Sequence, residues 1–175
     1  MLHTETFSKD YRVRSLTSKD AQTVLEVENG NPQYYFYCPP APTVQGFMDD
    51  LKALSPQKTA EDKYFLGYFE SQDHESAEGD LVAIVDLITA FPNSLTAFIG
   101  FFMMNEKYQG KSEGSRIVQE LFEKLREAGF EYVRLGYMKG NEQSKAFWEK
   151  NGFTPNGEEK DNGQGIVVVM QKNLI

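Results

Sequence analysis

Tyr108-Gln109-Gly110-Lys111-Ser112-Glu113-Gly114-Ser115 follows a run, Leu95 to Met104, that reads as a central strand, and it opens a stretch of helical period. From Glu113 onward Ile117, Val118, Leu121, Phe122, Leu125 and Ala128 recur on one face, and Gly129 ends the pattern. A strand, a short glycine-bearing loop and a helix N-terminus together make a device for holding phosphate. Free backbone N–H groups point at the anion, the helix dipole adds partial positive charge, and glycine lets the ligand approach the main chain. The stretch is not a P-loop, because the GK[ST] ending with its four-residue spacer is absent, nor is it GxGxxG. A tight strand-to-helix turn that binds nothing has the same local pattern, so this segment alone leaves both readings open.

A second segment bears on the choice. Tyr132 to Tyr137 reads as a strand, and Asn141-Glu142-Gln143-Ser144-Lys145-Ala146-Phe147-Trp148-Glu149-Lys150-Asn151-Gly152-Phe153 follows it, helical from Gln143 to Lys150 and broken at Gly152. With these two segments the chain resembles the GCN5-related N-acetyltransferase (GNAT) superfamily. The signature there is a Q/R-x-x-G-x-G/A loop, a strand, and an N-x-x-[SA]-x-x-[FL]-[YW]-x-x-x-G-F helix. Gln109, Gly114, Asn141, Ser144, Phe147, Gly152 and Phe153 stand at matching positions. There are two departures: Ser112 replaces the middle glycine of the loop, and Trp148 stands where many members carry the tyrosine that protonates the departing thiolate.

The rest of the chain fits the same order of elements. Tyr11 to Leu16 alternates weakly and reads as a first strand, and Thr17-Ser18-Lys19-Asp20 resembles a capping box before a helix from Ala21 to about Glu28. Asn29-Gly30-Asn31-Pro32 stops that helix; Tyr34-Tyr35-Phe36-Tyr37 with Pro39, Pro40 and Pro42 reads as a rigid aromatic loop. A second helix is expected over Thr43 to Leu54. Tyr64 to Glu70 and Leu81 to Thr89 read as a hairpin with a polar tip, Ser71 to Gly79, that contains His74. Ile166 to Met170 is a last strand, and a further one is expected near Phe153. Helices and strands alternate only in the C-terminal half, which predicts a mixed sheet.

The resemblance implies an α/β (α+β) fold: a mixed, mostly antiparallel sheet of six to seven strands with about four helices, its splayed central strands forming an acetyl-CoA cleft. It implies an acetyl-CoA-dependent N-acetyltransferase that transfers directly, with acetyl-CoA or coenzyme A as co-substrate and no metal. Pyrophosphate would rest on Gln109, Gly110, Lys111, Ser112, Glu113, Gly114 and Ser115. Main-chain groups of Phe102, Met103 and Met104 would bond the pantetheine arm, as would Asn141, with Ser144 and Lys145 along the nucleotide and Trp148 near the thiol. Tyr34, Tyr35 and Tyr37 would line the acceptor entrance. Packing onto the sheet explains the same aromatics equally well, and solvated surface lysine is the plainer reading of Lys111 and Lys145.

An indole N–H is no useful acid. A thiolate of pKa near 8.5 nevertheless leaves at pH 7 at a cost of only ~2 kcal/mol, so the missing tyrosine does not exclude catalysis. The acceptor is harder, because an alkyl ammonium near pKa 10.4 must lose its proton, at ~4.6 kcal/mol. A general base is therefore the group to look for. Asp86, an acid inside the apolar run Leu81 to Ile88, is one candidate, and a strand acid satisfied by a neighbouring donor is its plainer reading. Tyr137 is the candidate substitute acid, with core packing as the alternative.

Composition agrees with an acidic globular domain. The 175 residues suit one domain, 40% of them are hydrophobic, and 18 Lys and Arg against 26 Asp and Glu give a charge of −8. That balance argues against nucleic-acid or anionic-membrane partners and mildly favours a cationic amine, small molecule or peptide. No apolar run reaches membrane length and no secretory signal is visible, so a cytoplasmic location is expected. One cysteine, Cys38, and two histidines make no zinc cluster. A homodimer is compatible with the resemblance. Two other classes stay open: a coenzyme A-binding module without catalysis, and an unrelated nucleotide-binding α/β protein.

Overall fold

Alternating and apolar strand segments assemble into one seven-stranded sheet in the computed structural model, which describes residues 2–71 and 78–175. The strands are β1 (Tyr11–Ser15), β2 (Lys63–Glu70), β3 (Leu81–Ile88), β4 (Thr96–Met104), β5 (Tyr132–Met138), β6 (Thr154–Asp161) and β7 (Ile166–Asn173), in the spatial order β1-β2-β3-β4-β5-β7-β6. Every neighbouring pair is antiparallel except β4 and β5. A parallel pair needs a crossover, and α4 (Glu113–Glu127) supplies it. The mixed, mostly antiparallel sheet is the one the sequence predicts. His74 and most of the expected hairpin tip lie outside the described residues.

Helices cover both faces. α4 buries Ile117, Val118, Leu121, Phe122 and Leu125 with β3, β4 and β5, as its period predicts, while Ala128 caps it in an exposed position. α5 (Glu142–Lys150) packs Trp148 into the same layer. On the other face α1 (Ala21–Asn29) and α3 (Val44–Asp50) bury Val24, Val27 and Phe47 against Phe65, Ile84 and Met103. The capping box before α1 is present, and Thr43 caps α3 by accepting from the Gly46 N–H at 3.0 Å.

One expectation needs correction, and one is filled out. The aromatic segment after Asn31 is not a loop throughout: Pro32–Tyr37 forms a short helix, α2, which raises the helix count among the described residues from about four to five. Pro32 sits at its first position, where a missing N–H costs nothing, so the proline starts the helix instead of breaking it. The expected strand near Phe153 is the full eight-residue β6, Thr-Pro-Asn-Gly-Glu-Glu-Lys-Asp, an exposed edge with no buried face to leave a period.

Candidate active site

Strands β4 and β5 part company in mid-sheet. They pair from Thr96↔Tyr132 to Ile99↔Leu135 and no further, whereas β4 stays paired with β3 to Met104. On that side the register slips: Asp86 faces Phe101 and Leu87 faces Ile99, so Gly100 is the extra residue of a β-bulge. A bulge bends its strand. Among the described residues, the edge of Phe101 to Met104 that would have met β5 is thereby left without a strand partner, open to a ligand's own amides except at the Met104 carbonyl, which side chains occupy. A cleft of about 640 Å³ opens at this point, lined by Gly100 to Met104 of β4, Leu135 and Gly136 of β5, the loop before α4, and the start of α5.

The loop turns through left-handed backbone twice, at Gly110 (φ 73°) and at Ser112 (φ 63°). Ser112 is the N-cap of α4, yet its side chain makes no capping bond, and the first helical N–H to find an acceptor is that of Arg116, on the Ser112 carbonyl at 3.0 Å. Among the described residues the N–H groups of Glu113, Gly114 and Ser115 therefore have no acceptor, at the head of a helix long enough to carry a dipole, and all three residues line the cleft. Serine at positive φ is strained, by about 1 kcal/mol or more. Ser112→Gly should relieve that strain. The expected net gain is about 1 kcal/mol after the added freedom of the unfolded glycine, read as a melting temperature roughly 2–4 °C higher. An unchanged or lower melting temperature would show that the serine hydroxyl compensates.

The opposite wall comes from α5. Asn141 is buried, and its Oδ1 accepts from the Ser144 N–H at 3.1 Å; among the described residues its Nδ2 donates to no protein group. Phe102 stacks on Phe147 with centroids 5.4 Å apart, and Trp148 stands edge-on to both rings. At the loop's start the Gln109 Nε2 donates to the Met104 carbonyl (3.1 Å) and to the Asn31 Oδ1 (2.7 Å), and Asn31 Nδ2 donates to the same carbonyl at 3.0 Å. This clamp ties the start of α2 to the end of β4 and fixes one rim of the cleft.

At the bulge, Tyr34 of α2 meets Phe101 edge-on at 5.3 Å. Asp86 leans over Gly100, where a methyl group in place of the hydrogen would come within 3.0 Å of Oδ2. The same oxygen accepts from Lys63 Nζ at 2.9 Å, and Oδ1 is buried with no partner among the described residues. Burial holds the Asp86 carboxyl above the ordinary range, with Lys63 pulling the other way. Behind this pair Asp50 of α3 is likewise raised by burial.

Glu28, at the end of α1, is only 5% exposed, and the Tyr35 phenol lies near it. Burial pushes its carboxyl up to about 7 from an ordinary 4.5. A folded value above the unfolded one means that this group's stabilising contribution is complete below about pH 4.5 and is lost as the pH rises through about 7. Glu28→Gln, which keeps the size and a side-chain oxygen, should therefore raise stability at pH 8 by up to roughly 3 kcal/mol and leave it unchanged at about pH 4.5. Equal melting-temperature changes at both pH values would rule out the buried charge as the cause.

The sequence model of the acetyltransferase (GNAT) family matches residues 47–153, which is more than half of the chain. The chain belongs to the GNAT acetyltransferase family. Solved structures agree on the fold. An acetyltransferase from Thermus thermophilus superposes with a TM-score of 0.72 at 19% identity, covering 94% of this chain and 97% of its own. The PaiA N-acetyltransferase of Thermoplasma acidophilum in complex with coenzyme A gives 0.64 at 20% identity, covering 93% and 98%. The spermidine N-acetyltransferase of Vibrio cholerae in complex with coenzyme A and spermine gives 0.68 at 16%, covering 95% and 97%. No curated protein matches the sequence.

Of the residues expected at a GNAT cofactor site, Phe102, Met103, Met104, Gln109, Gly110, Ser112, Glu113, Gly114, Ser115, Asn141, Ser144 and Trp148 line the cleft. Lys111 and Lys145 do not: Lys111 Nζ donates to the Lys107 carbonyl at 3.3 Å, and Lys145 Nζ stands 3.9 Å from Glu142. Tyr34 lines the cleft, whereas Tyr35 turns to Glu28 and Tyr37 packs on Phe36. Tyr137 is buried in the core, with neighbouring Gly136 on the cleft wall. Asp86 stands just behind Gly100. Sequence reasoning missed Asn31, read only as a helix stop, along with Gly100 and Lys63. It also missed Glu28, which a stricter count would have placed one helical turn after Val24 on the buried face.

Proposed function

We propose that this acetyltransferase uses acetyl-CoA and transfers the acetyl group directly to a primary amine. One observation carries the reading: the strand edge freed at the Gly100 bulge leads straight to the unpaired N–H groups of α4, so that one extended thioester with a pyrophosphate would satisfy both. The pyrophosphate rests on the N–H groups of Glu113, Gly114 and Ser115. The pantetheine arm pairs with the β4 edge and with Asn141 Nδ2, and the acetyl group lies by Gly100 and Phe101.

The amine nitrogen bonds to the thioester carbonyl carbon and the carbon–sulfur bond breaks. Asp86 takes the ammonium proton through an intervening water, since its carboxylate sits one layer behind Gly100. Thiolate departs and is protonated by solvent, a step that Trp148 does not assist. The acceptor enters beside Tyr34 and is a small-molecule or peptide amine. The similar structures include a spermidine N-acetyltransferase and a ribosomal-protein-S18-alanine N-acetyltransferase from Escherichia coli, so likeness alone selects neither class. We take the protein to act in the cytoplasm, without nucleic acid or membrane, and as a monomer or homodimer.

Burial of Trp148 in the place of a proton donor favours one second reading, a coenzyme A-binding module without turnover. Free-thiol release from acetyl-CoA over polyamines, amino acids and peptide N-termini separates the two. Amine-dependent release supports transfer. Binding of coenzyme A with no release above the enzyme-free rate for any amine supports the module.

A further inference from the structure

Lys63 has no place in the reaction just described, yet among the described residues it is the one cation buried against the proposed base: its side chain is 6% exposed and that of Asp86 is 15% exposed. We propose that Lys63 is a positioning residue, holding Asp86 Oδ2 at 2.9 Å so that the carboxylate stays ionised and fixed over the Gly100 bulge. The inference rests on Asp86 being the base. A buried ion pair is weak evidence of stabilisation in itself, because desolvation offsets much of the attraction. Here the geometry is one-sided: Lys63 serves a single oxygen, and Oδ1 is buried without a partner among the described residues. A pair built for stability alone would have both oxygens satisfied.

Three further facts give the pair its direction. Lys63 and Asp86 come from adjacent strands and are fixed by the β2–β3 register, which sets Phe65 opposite Asp86. Lys63 Nζ also lies 5.3 Å from the ring of Phe65, the residue opposite Asp86 in the register. Gly100 has no side chain to stand between the carboxylate and the cleft's inner wall. The other charge acting on Asp86 is Asp50 of α3, itself attracted to Lys63 and repelled by Asp49; Asp50 also acts on Glu28 of α1 and on the hydroxyls of Tyr34 and Tyr35 of α2. Among the described residues Lys63 is the cation in direct contact with Asp86, and its loss would leave Asp86 to pick up a proton.

The test is the pH profile of kcat/KM for amine acetylation in the wild type, Lys63→Met, Lys63→Arg and Asp86→Asn. Removing a cation in direct contact should move the acid limb of the profile up by about one to two pH units in Lys63→Met, while Lys63→Arg returns it towards the wild-type position. A purely structural lysine would lower stability and leave the limb in place, and that result overturns the proposal. Lys63→Met leaves a buried carboxylate unpaired, so a second readout uses the intact wild type: the side-chain carboxyl carbon of Asp86, followed by NMR, should report the ionised form at about pH 7. A protonated Asp86 at that pH overturns the proposal without any variant. If Asp86→Asn keeps full activity, the assignment of the base has failed instead.

Discussion

Asp86→Asn should lower kcat/KM for amine acetylation by about 100- to 10,000-fold at pH 7, the usual contribution of a positioned general base. The acceptor arrives largely as ammonium, and without a base only the small free-amine fraction reacts. Residual activity of the variant should therefore climb steadily with pH towards the amine's own pKa, while the wild type levels off at lower pH. Its acid limb should lie above the ordinary aspartate range, because burial raises Asp86, and activity should fall as the pH drops through that value and the base takes up a proton. Asparagine keeps an oxygen for Lys63, so the fold and the stabilisation by coenzyme A should be unaltered. Equal rates in wild type and variant would remove Asp86 from the chemistry.

The second large effect is expected at Gly114→Val. A Cβ at Gly114 would stand 3.2 Å from Met104 Cγ and 3.3 Å from Phe147 Cε2, and valine's two methyls add to that crowding. Met104 ends β4 and Phe147 belongs to α5, so both neighbours are walls of the cleft and not loose surface. The first turn of α4 must then move. Overpacking of this kind costs about 1–3 kcal/mol in stability, and each charge-assisted bond lost from the free N–H groups costs roughly 1.5–3 kcal/mol in binding. Coenzyme A affinity should fall at least tenfold and up to about a thousandfold, with a melting temperature several degrees lower. Titration calorimetry with coenzyme A checks it; an affinity within a factor of two would mean that the pyrophosphate does not sit on this turn.

The loop and its helix were legible because their chemistry is local: Gln109 to Ser115 and the buried face of α4 need only their own spacing to be read. Asp86 was equally visible as an acid among apolar neighbours. Its partner was not, since the meeting of Lys63 with Asp86 depends on the β2–β3 register, which no short window of sequence contains. Gly100 carried no mark as a bulge, because a lone glycine in a strand signals a weak point as readily as a bend. The aromatic run misled for a related reason. Once Pro32–Tyr37 is helical, successive residues are turned by about 100°, so Tyr34 reaches the cleft while Tyr35 turns to Glu28 and Tyr37 to Phe36. β6 was legible only as a strand near Phe153, its extent hidden because Thr-Pro-Asn-Gly-Glu-Glu-Lys-Asp is the sequence of an exposed edge.

Thermal melting of the protein with acetyl-CoA, coenzyme A, ATP and NAD in parallel is the most direct test of the cleft as a thioester site. At a hundredfold excess over Kd, binding to the folded state stabilises by ~2.7 kcal/mol, several degrees for a chain of this length. Acetyl-CoA and coenzyme A should both produce that shift, and ATP and NAD should fall well short of it. No shift with either coenzyme A form at millimolar concentration, or an equal shift with ATP and NAD, would contradict the account.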